Sequence, residues 1–411
     1  MAAASHEGVT PRPVSSPGKC GPFRLQQLVL LQLACAAPLV ARVLAPILLV
    51  PAGAVALALV LLAVVRRHRL PLPEWLGGVL ALRARRRRAA AWTAGAEPGA
   101  ASAVEADPAL RTLTYGGHDR RPVGMVGDGT FLTAVLRVDA DATALRADRT
   151  AHPLPLAAVR DVLEVDGIRL ESAQLVQHTR PAPAPHLPAD SVAARSYAPL
   201  QALTGTPAVR LTWIALKLDP QRCPEAVTAR GGGLKGAQRC LVRVADQLAS
   251  RLAGHGFRAE VLTEQELTSA LATSACANPT PLARSGRQAG AGRRTEETAR
   301  AWRCDDRQHT TYWLRRWPLL GGPGAQLPQF VALLTALPAL AINFSLTMAP
   351  AGRRGVTLTG HVRVTGRGDR DLAVACRALE RTARGVRAGL VRLDREQVPG
   401  LLASLPLGGT R

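Results

Sequence analysis

Four short groups of residues in this sequence are of types that carry chemistry in proteins. They are Asp139 with Asp141, the glycines 231–233 with Lys235, Cys304 with His309, and Asp305 with Asp306. Paired acids after an apolar strand can hold a metal-bound sugar nucleotide, glycines before a helix can hold phosphate, and cysteine with histidine can hold zinc. Each group defines a chemical hypothesis, which we weigh against an ordinary turn, loop or strand edge.

These groups lack the partner residues that their chemistry requires. The glycine loop has no Gly-Lys-Ser/Thr ending, and nothing near Asp139 in the sequence would bind a diphosphate. Cys304 and His309 have no second pair of zinc ligands, and no nucleophile accompanies Asp305 and Asp306. The sequence therefore favours a protein that is not an enzyme, and a glycosyltransferase-like enzyme using the first acidic pair stays open as an alternative.

The positive charge of the chain raises nucleic-acid binding as a further alternative. Lysine and arginine number 52 against 30 acids, but only three of them are lysine, which indicates a compositional bias toward arginine. Trp302, Tyr312, Trp313 and Trp317 interleave with arginines, as in proteins that stack bases. Because a strand inside an α/β domain buries most of its aromatic side chains, we expect no nucleic-acid partner.

Residues 25–65 form an apolar segment with a single charge, Arg42, near its middle. As one helix they would run about 60 Å, twice the thickness of about 30 Å of a hydrocarbon core. Two passes fit this length, with Arg42 in the turn between them. The segment thus predicts a transmembrane helical hairpin. Its first pass contains three glutamines and Pro38, so a helix lying in the membrane interface is the alternative for that half.

Arginines on the far side of this segment predict its orientation. By the positive-inside rule they place the C-terminal body in the cytoplasm, which makes the protein a multi-pass protein of the plasma membrane. Such a cluster also attracts anionic lipid, by about 1 kcal/mol per residue. The predicted topology and membrane-interface residues are Arg42, Arg66, Arg67, Arg69, Arg85, Arg86, Arg87 and Arg88.

The remaining sequence predicts a mixed α/β cytoplasmic body. Its predicted order of strands and helices is β-α-β-β-α-β, and a second half repeats it at an offset of 131 residues, with Leu241 matching Leu372 and Gly254 matching Gly385. We therefore expect two related units. The predicted domains are a disordered tail at 1–24, the hairpin at 25–65, a basic linker at 66–110, α/β units at 111–278 and 301–411, and a flexible connector at 279–300.

Several segments together resemble one known family. They are the apolar hairpin, PLPEWL running into ALRARRRR, GMVGDGTFLTAVLRV, WIALKLDPQRCPEAVTARGGG and GLVRLDREQVPGLLASLPLG. In this order they resemble EccE, a membrane subunit of the actinobacterial type VII secretion system, in its streptomycete-like form. The similarity covers nearly the whole chain from about Gly21 onward, and the order of the segments carries it.

The resemblance implies a structural or assembly subunit of a plasma-membrane protein secretion complex. It implies EccB, EccC and EccD, together with the lipid bilayer, as partners, and it implies no cofactor and no catalytic signature. Composition, the apolar segment and the resemblance thus all favour a non-catalytic protein of a bacterial membrane.

Overall fold

The chain divides into two compact units in the computed structural model. One unit is Val14–Ala91, and the other combines Met1–Pro13 with Trp92–Arg411. The residues that the structure describes are 12–13, 19–20, 23–44, 47, 49–64, 66–67, 70–90, 101–116, 121–140, 153–180, 188, 190–204, 209–278, 293–318, 326–352 and 355–409. The predicted domain boundaries remain a prediction.

The first unit is helical. Its helices are α1 (Leu25–Leu44), α2 (Leu49–Val64) and α3 (Leu72–Ala90). α1 packs against α2, and α3 contacts α2. Short strand pairs accompany the helices: β2 (Lys19–Cys20) with β3 (Phe23–Arg24), and β4 (Arg66–Arg67) with β5 (Leu70–Pro71).

The predicted transmembrane hairpin was wrong. Among the helices that the structure describes, none combines the length and the apolar character needed to cross a bilayer. α2 is apolar but has 16 residues, a length of about 24 Å against a hydrocarbon core of about 30 Å. α1 has 20 residues, but it includes Gln26, Gln27, Gln32 and Arg42, and Pro38 lies inside it.

The second unit is built on one large sheet. Its strands are β1 (Arg12–Pro13), β6 (Arg111–Tyr115), β7 (Val123–Gly127), β8 (Leu132–Ala140), β11 (Ser172–Arg180), β12 (Val209–Leu218), β13 (Phe257–Val261), β14 (Thr295–Glu297), β15 (Trp302–Cys304), β16 (Arg307–Arg316), β17 (Ala341–Ala351), β18 (Gly355–Gly366) and β19 (Gly389–Arg392). A separate hairpin pairs β9 (Glu164–Val165) with β10 (Ile168–Arg169).

Helices of this unit connect the strands. They are α4 (Ala101–Ala106), α5 (Leu156–Arg160), α6 (Val192–Thr204), α7 (Pro224–Ala229), α8 (Gly233–Ala253), α9 (Glu264–Ser274), α10 (Leu327–Thr335), α11 (Asp369–Gly385) and α12 (Gln397–Ser404), with a short 3-10 turn at Pro220–Arg222. α8 and α11 are the long amphipathic helices, each with buried apolar residues at helical spacing.

The sheet is continuous and almost entirely antiparallel. Its strands lie in the order β14-β15-β16-β18-β17-β11-β12-β8-β7-β6, with β13 added to β8, β19 added to β16 and β1 pairing in parallel with β18. The pair β11–β17, from Ala173 opposite Met348 to Thr179 opposite Ile342, joins the two halves. The predicted fold class was therefore wrong for the body as well, because backbone hydrogen bonds across this pair join both halves in one antiparallel sheet.

The two faces of the sheet differ in character. On one face, α8 and α11 bury apolar side chains of the strands, such as Ile214 and Leu216 under α8 and Phe344 and Val362 under α11. On the other face, α9, α12 and the segment 405–409 cover a mixture of apolar and polar side chains. Every buried polar group on this second face requires a partner, since water cannot reach it.

The start of α9 shows how the sequence fixes a local element. Thr263 and Glu266 form a capping box, in which each side chain bonds the other residue's backbone N–H, as their spacing predicts. Asp394 and Gln397 have the same spacing in the sequence, which predicts a second cap of this kind, but that prediction was wrong. The carboxylate of Asp394 pairs with Arg392 at 2.6 Å, and α12 begins only at Gln397.

At Gly124, β7 lies very close to the backbone at the start of α9. The N–H of Gly124 donates to the carbonyl of Leu262 at 2.8 Å, and a Cβ atom there would overlap the backbone of Thr263 and Glu264. We expect Gly124→Ala to lower the free energy of unfolding by about 1–3 kcal/mol, because the backbone must shift. Urea unfolding measures this, and Gly116→Ala, where the added Cβ has open space, is the control. Equal stability of the two variants would contradict the packing described here.

Candidate functional site

The arginines predicted to mark a membrane interface lie in the helical unit. Arg42 is exposed in the last turn of α1, and Arg66 and Arg67 form β4. Arg69 lies outside the described residues. The remaining four are consecutive near the end of α3, where Arg86, Arg87 and Arg88 are exposed and Arg85 is half-buried. Cations at a helix C-terminus also stabilise the helix through its dipole.

The helices α1 and α2 also present large apolar side chains at the surface. Their exposed members include Val29, Leu33, Leu39, Val40, Val43, Val50, Val55, Leu57 and Leu61. Many exposed large apolar side chains on neighbouring helices are typical of a surface that contacts a protein or a membrane. The helical unit thus combines an apolar surface with a basic helix end.

The first acidic pair and the glycine loop have ordinary structural roles. Asp139 lies on β8 and pairs with Arg137 at 3.0 Å, while Asp141 lies outside the described residues. The glycines 231–233 all have positive φ and form the turn between α7 and α8. Throughout the described part of the chain, no group of three His, Cys, Asp or Glu side chains is placed to hold a metal ion.

The cysteine, histidine and aspartates at 304–309 are each engaged separately. Burial raises the pKa of the Cys304 thiol well above its ordinary value, with a further contribution from Asp305. Asp305 forms a buried ion pair with Arg294 at 2.5 Å, and Asp306 accepts from Asn278 at 3.0 Å. His309 contacts Thr365 through Nδ1 at 2.9 Å and lies against Trp302. These contacts describe packing, not a ligand set.

Of the four aromatic residues that interleave with arginines, Trp302 and Tyr312 are buried, whereas Trp313 and Trp317 are half-buried. Trp302, Tyr312 and Arg307 are each about 1% exposed. Base stacking requires an accessible aromatic face, which Trp302 and Tyr312 do not offer in this fold.

A polar cluster that sequence reasoning missed lies inside the sheet's second face. We call it the interior polar cluster; it comprises His178, Arg180, Ser274, Cys276, Arg307, His309, Asn343, Arg363 and Thr365. The register places His178 opposite Asn343 and Asn343 opposite Arg363 on adjacent strands, so these side chains share one row of one face. Apart from the half-buried Arg180, its members are at most 3% exposed.

The cluster is organised around the C-terminal end of α9. Arg363 donates through Nη2 to the carbonyl of Ser274, and Arg307 donates through Nη1 to the carbonyl of Cys276 at 2.6 Å. Asn343 adds a bond from Nδ2 to the carbonyl of Ser274 at 3.0 Å. The last carbonyls of a helix lack intrahelical partners and carry its negative dipole end, so guanidinium groups are suitable caps.

The same contacts fix the tautomer of His178. Because Asn343 donates through Nδ2 to Ser274, its Oδ1 faces His178 Nδ1 at 2.7 Å and accepts. The hydrogen of the neutral ring is therefore on Nδ1, and Nε2 is left as an unprotonated acceptor.

Burial keeps the histidines of the cluster neutral, and repulsion by the arginines adds to it. Burial lowers the pKa of His178 to about 3, against a stabilising bond from Asn343 and with repulsion from Arg180 and Arg363. Burial and the repulsion of Arg363 and Arg307 also hold the pKa of His309 well below its ordinary value. Burial lowers the pKa of Arg363 to about 10.

The end of α12 and the segment after it are held on the same face by buried side chains of two strands, β8 and β11. Thr133 and Ser172 donate to the carbonyls of Leu407 and Gly408 at 3.0 and 2.6 Å. Gln174 donates to the carbonyl of Ala403 at 2.7 Å and accepts from Gly408 N–H at 2.8 Å. The strands thus bind this segment through its backbone.

Comparisons with known proteins show which family part of this chain resembles. Residues 206–314 match a family model described as a putative type VII ESX secretion system translocon, EccE. The ESX-1 secretion system protein EccE1 of Mycobacterium tuberculosis, in strains CDC 1551 / Oshkosh and ATCC 25618 / H37Rv, is 45% identical over 53 residues. The resemblance to EccE is confirmed. The alignment covers 13% of this chain and 12% of those relatives.

The EccE match includes part of the interior polar cluster. β12, α7, α8, β13 and α9 lie inside it, and so do Cys276, Arg307 and His309. His178, Asn343 and Arg363 lie outside it. The cluster therefore joins the part of the chain that is similar to EccE with strands beyond it.

Gln174 tests the attachment of the segment after α12. In Gln174→Leu the Gly408 N–H loses its partner inside the protein, so we expect the free energy of unfolding to fall by about 1–3 kcal/mol. Gln265→Leu, on the exposed side of α9, makes the same chemical change without a buried partner. Urea unfolding compares the two, and an unaffected Gln174→Leu protein would show that these backbone contacts contribute nothing.

The histidines of the sheet predict acid sensitivity. The unfolded chain binds protons near pH 6.5, whereas folded His178, His309 and His361 remain neutral to lower pH, with pKa values of about 3 for His178 and about 4 for His361. The folded state therefore loses stability as pH falls through this window, by roughly 1 kcal/mol per pH unit for each histidine.

Urea unfolding across that pH range measures this loss. His178→Gln, which retains a donor for Asn343, should make the pH dependence shallower, and the exposed His255→Gln should leave it unchanged. Parallel curves for the wild type and His178→Gln would contradict a neutral His178.

Proposed function

We propose that this protein is a non-catalytic structural subunit of a type VII secretion complex at the plasma membrane. The match of residues 206–314 to the EccE family model is the observation that supports this assignment most directly. By the same resemblance the partners are EccB, EccC and EccD. Because the aligned part of the curated relatives is small, these partners rest on the proposal alone.

The placement of the titratable groups favours a structural role. The two histidines of the interior polar cluster are enclosed and held neutral, so neither can exchange a proton with a substrate at the surface. Cys304 has a raised pKa and is buried, which disfavours a nucleophilic thiolate. The buried polar groups hold elements together, as in a scaffold protein.

The helical unit is the part of the chain that we propose meets the membrane. Its exposed apolar side chains on α1 and α2 suit the boundary between headgroups and acyl chains. Arg85, Arg86, Arg87 and Arg88 would lie against the anionic cytoplasmic leaflet, assisted by Arg42 and by Arg66, Arg67 and Arg69. The sheet unit would then be on the cytoplasmic side.

Vesicle binding tests the membrane contact. Replacing the arginines at 85–88 with glutamine should weaken binding of the full chain to phosphatidylserine-containing vesicles by about two to three orders of magnitude, since each contributes about 1 kcal/mol. Binding should also weaken with added salt. Co-sedimentation measures the affinity.

The control variant also replaces four arginines with glutamine, but on α11 of the sheet unit. Arg370, Arg377, Arg381 and Arg384 are exposed on α11, and their replacement with glutamine should leave vesicle binding nearly unchanged. Equal losses in both variants would mean that total charge, not α3, governs binding.

Affinity purification of the tagged full chain from solubilised membranes of its own host tests the secretion role. We expect EccB, EccC and EccD among the co-purified proteins. A chain recovered without any secretion subunit, under conditions in which EccB and EccD remain associated, would contradict the proposed function.

A further inference from the structure

The large sheet ends at β6, and the outer side of this strand has no strand partner among the described residues. The order of the strands stops at β6, which pairs with β7 alone, from Arg111 opposite Gly127 to Tyr115 opposite Val123. A Cβ atom built on Gly116, directly after the strand, would meet no described atom within 4 Å. An open strand edge offers its backbone N–H and C=O groups to a further strand.

The usual features that protect an edge strand are few in β6. Its sequence RTLTY contains neither proline nor lysine, and its pairing with β7 has no bulge. The single charge is Arg111 at the first residue, and its guanidinium donates to the carbonyls of Pro108 and Leu110 at 2.8 and 3.1 Å. The rest of the strand therefore carries no charge that would repel a second strand.

The hydrogen bonds of β7 show which backbone groups of β6 face outward. Gly124 donates its N–H to the carbonyl of Leu262, on the side of β7 away from β6. Thr114 lies opposite Gly124, and hydrogen-bonded and non-hydrogen-bonded pairs alternate along an antiparallel ladder. The N–H and C=O groups of Thr114, and of Thr112 two residues before it, thus point to the open edge.

We propose that two copies of this chain dimerise through β6, which pairs antiparallel with β6 of the second copy about a twofold axis at Leu113. In this register Thr112 lies opposite Thr114 of the second copy, so the outward N–H and C=O groups of both residues bond across the axis. The same pairing occurs twice because the interface is isologous. The two sheets then continue as one.

The side chains of β6 are complementary to themselves in this register. Leu113 and Tyr115 are half-buried at the border of the apolar core under α8, so the two cores meet across the axis. Arg111 lies opposite Tyr115 of the second copy, where a guanidinium contacts an aromatic ring favourably. On the other side of the strand, Thr112 and Thr114 form threonine pairs, which stabilise antiparallel strands.

One charge opposes this pairing. The carboxylate of Glu264 accepts a hydrogen bond from the hydroxyl of Thr114, so two copies of Glu264 would lie on the same face of the joined sheet. Glu264 is partly exposed, and water and salt screen repulsion between such groups. The interface is also short, which predicts a weak and reversible dimer whose population depends on protein concentration.

Sedimentation velocity of the full chain in a mild detergent tests the proposal through Thr114. In Thr114→Pro the outward N–H is lost while the bonds to β7 stay, so we expect the dimer dissociation constant to rise at least about tenfold. Thr114→Ala removes the same hydroxyl but keeps the N–H, and it should leave the constant nearly unchanged. A wild-type chain that is monomeric at every concentration, or equal constants for the two variants, would overturn the proposal.

Cysteine cross-linking locates the axis and keeps the proposal testable if Thr114→Pro does not fold. In the proposed register the two copies of Leu113 form a non-hydrogen-bonded pair with Cα atoms about 4.5 Å apart, which a disulfide can bridge. The two copies of Thr114 are diagonal neighbours about 7–8 Å apart, which is too far. The background carries Cys20→Ser and Cys35→Ser, because Cys35 is exposed.

Oxidation with copper phenanthroline, followed by electrophoresis without reductant, measures the cross-link. We expect Leu113→Cys to form a covalent dimer and Thr114→Cys to form little, although Thr114 is the more exposed of the two residues. Random collisions would favour the exposed position, so cross-linking of Thr114→Cys as strong as that of Leu113→Cys would refute this register. Neither measurement depends on the secretion role.

Discussion

The capping of α9 by arginines from two central strands is the interaction on which the second face of the sheet depends. Arg307 from β16 and Arg363 from β18 reach the same helix end, and Asn343 from β17 joins them. Three adjacent strands therefore have to be in register before the end of α9 is satisfied. A slip of one residue would turn these side chains to the apolar face, away from the carbonyls at the end of α9.

The apolar face of the sheet constrains the strand register less strictly than the polar face does. Leucine, valine and phenylalanine under α8 and α11 can exchange places with modest cost, provided that their total volume is kept. Guanidinium and amide groups have fixed directions, so they discriminate between registers more sharply than apolar side chains do. The hydrophobic clusters supply most of the driving force for folding, and the polar face selects one arrangement of a long sheet.

The sequence alone predicted several local elements well and their assembly poorly. Helical spacing predicted α8 and α11, and apolar runs predicted β8 and β12, because these signals depend on neighbours within a few residues. The pairing of β11 with β17 joins residues about 170 positions apart, which periodicity does not report. α6 forms although Pro199 lies inside the helix, a position that proline disfavours, so local composition does not predict it. The transmembrane prediction for 25–65 was wrong because it divided the whole segment between two passes, whereas α2 has only 16 residues and α1 contains glutamines and Pro38.

The residues of the interior polar cluster could not be recognised from the sequence, because the pattern of their strands is ambiguous. In β18 the polar residues His361, Arg363 and Thr365 alternate with Val362 and Val364, a pattern typical of a strand with one face in water. In this fold α9 and α12 cover that face, so the same alternation describes a strand buried on both sides. The available signal was that three long cationic side chains, Arg180, Arg307 and Arg363, lie on strands of the body. Buried charged groups of this kind add little net stability, and they are strongly destabilising when a partner is missing. A protein that retains two such arginines at one helix end gains a single geometry for its sheet.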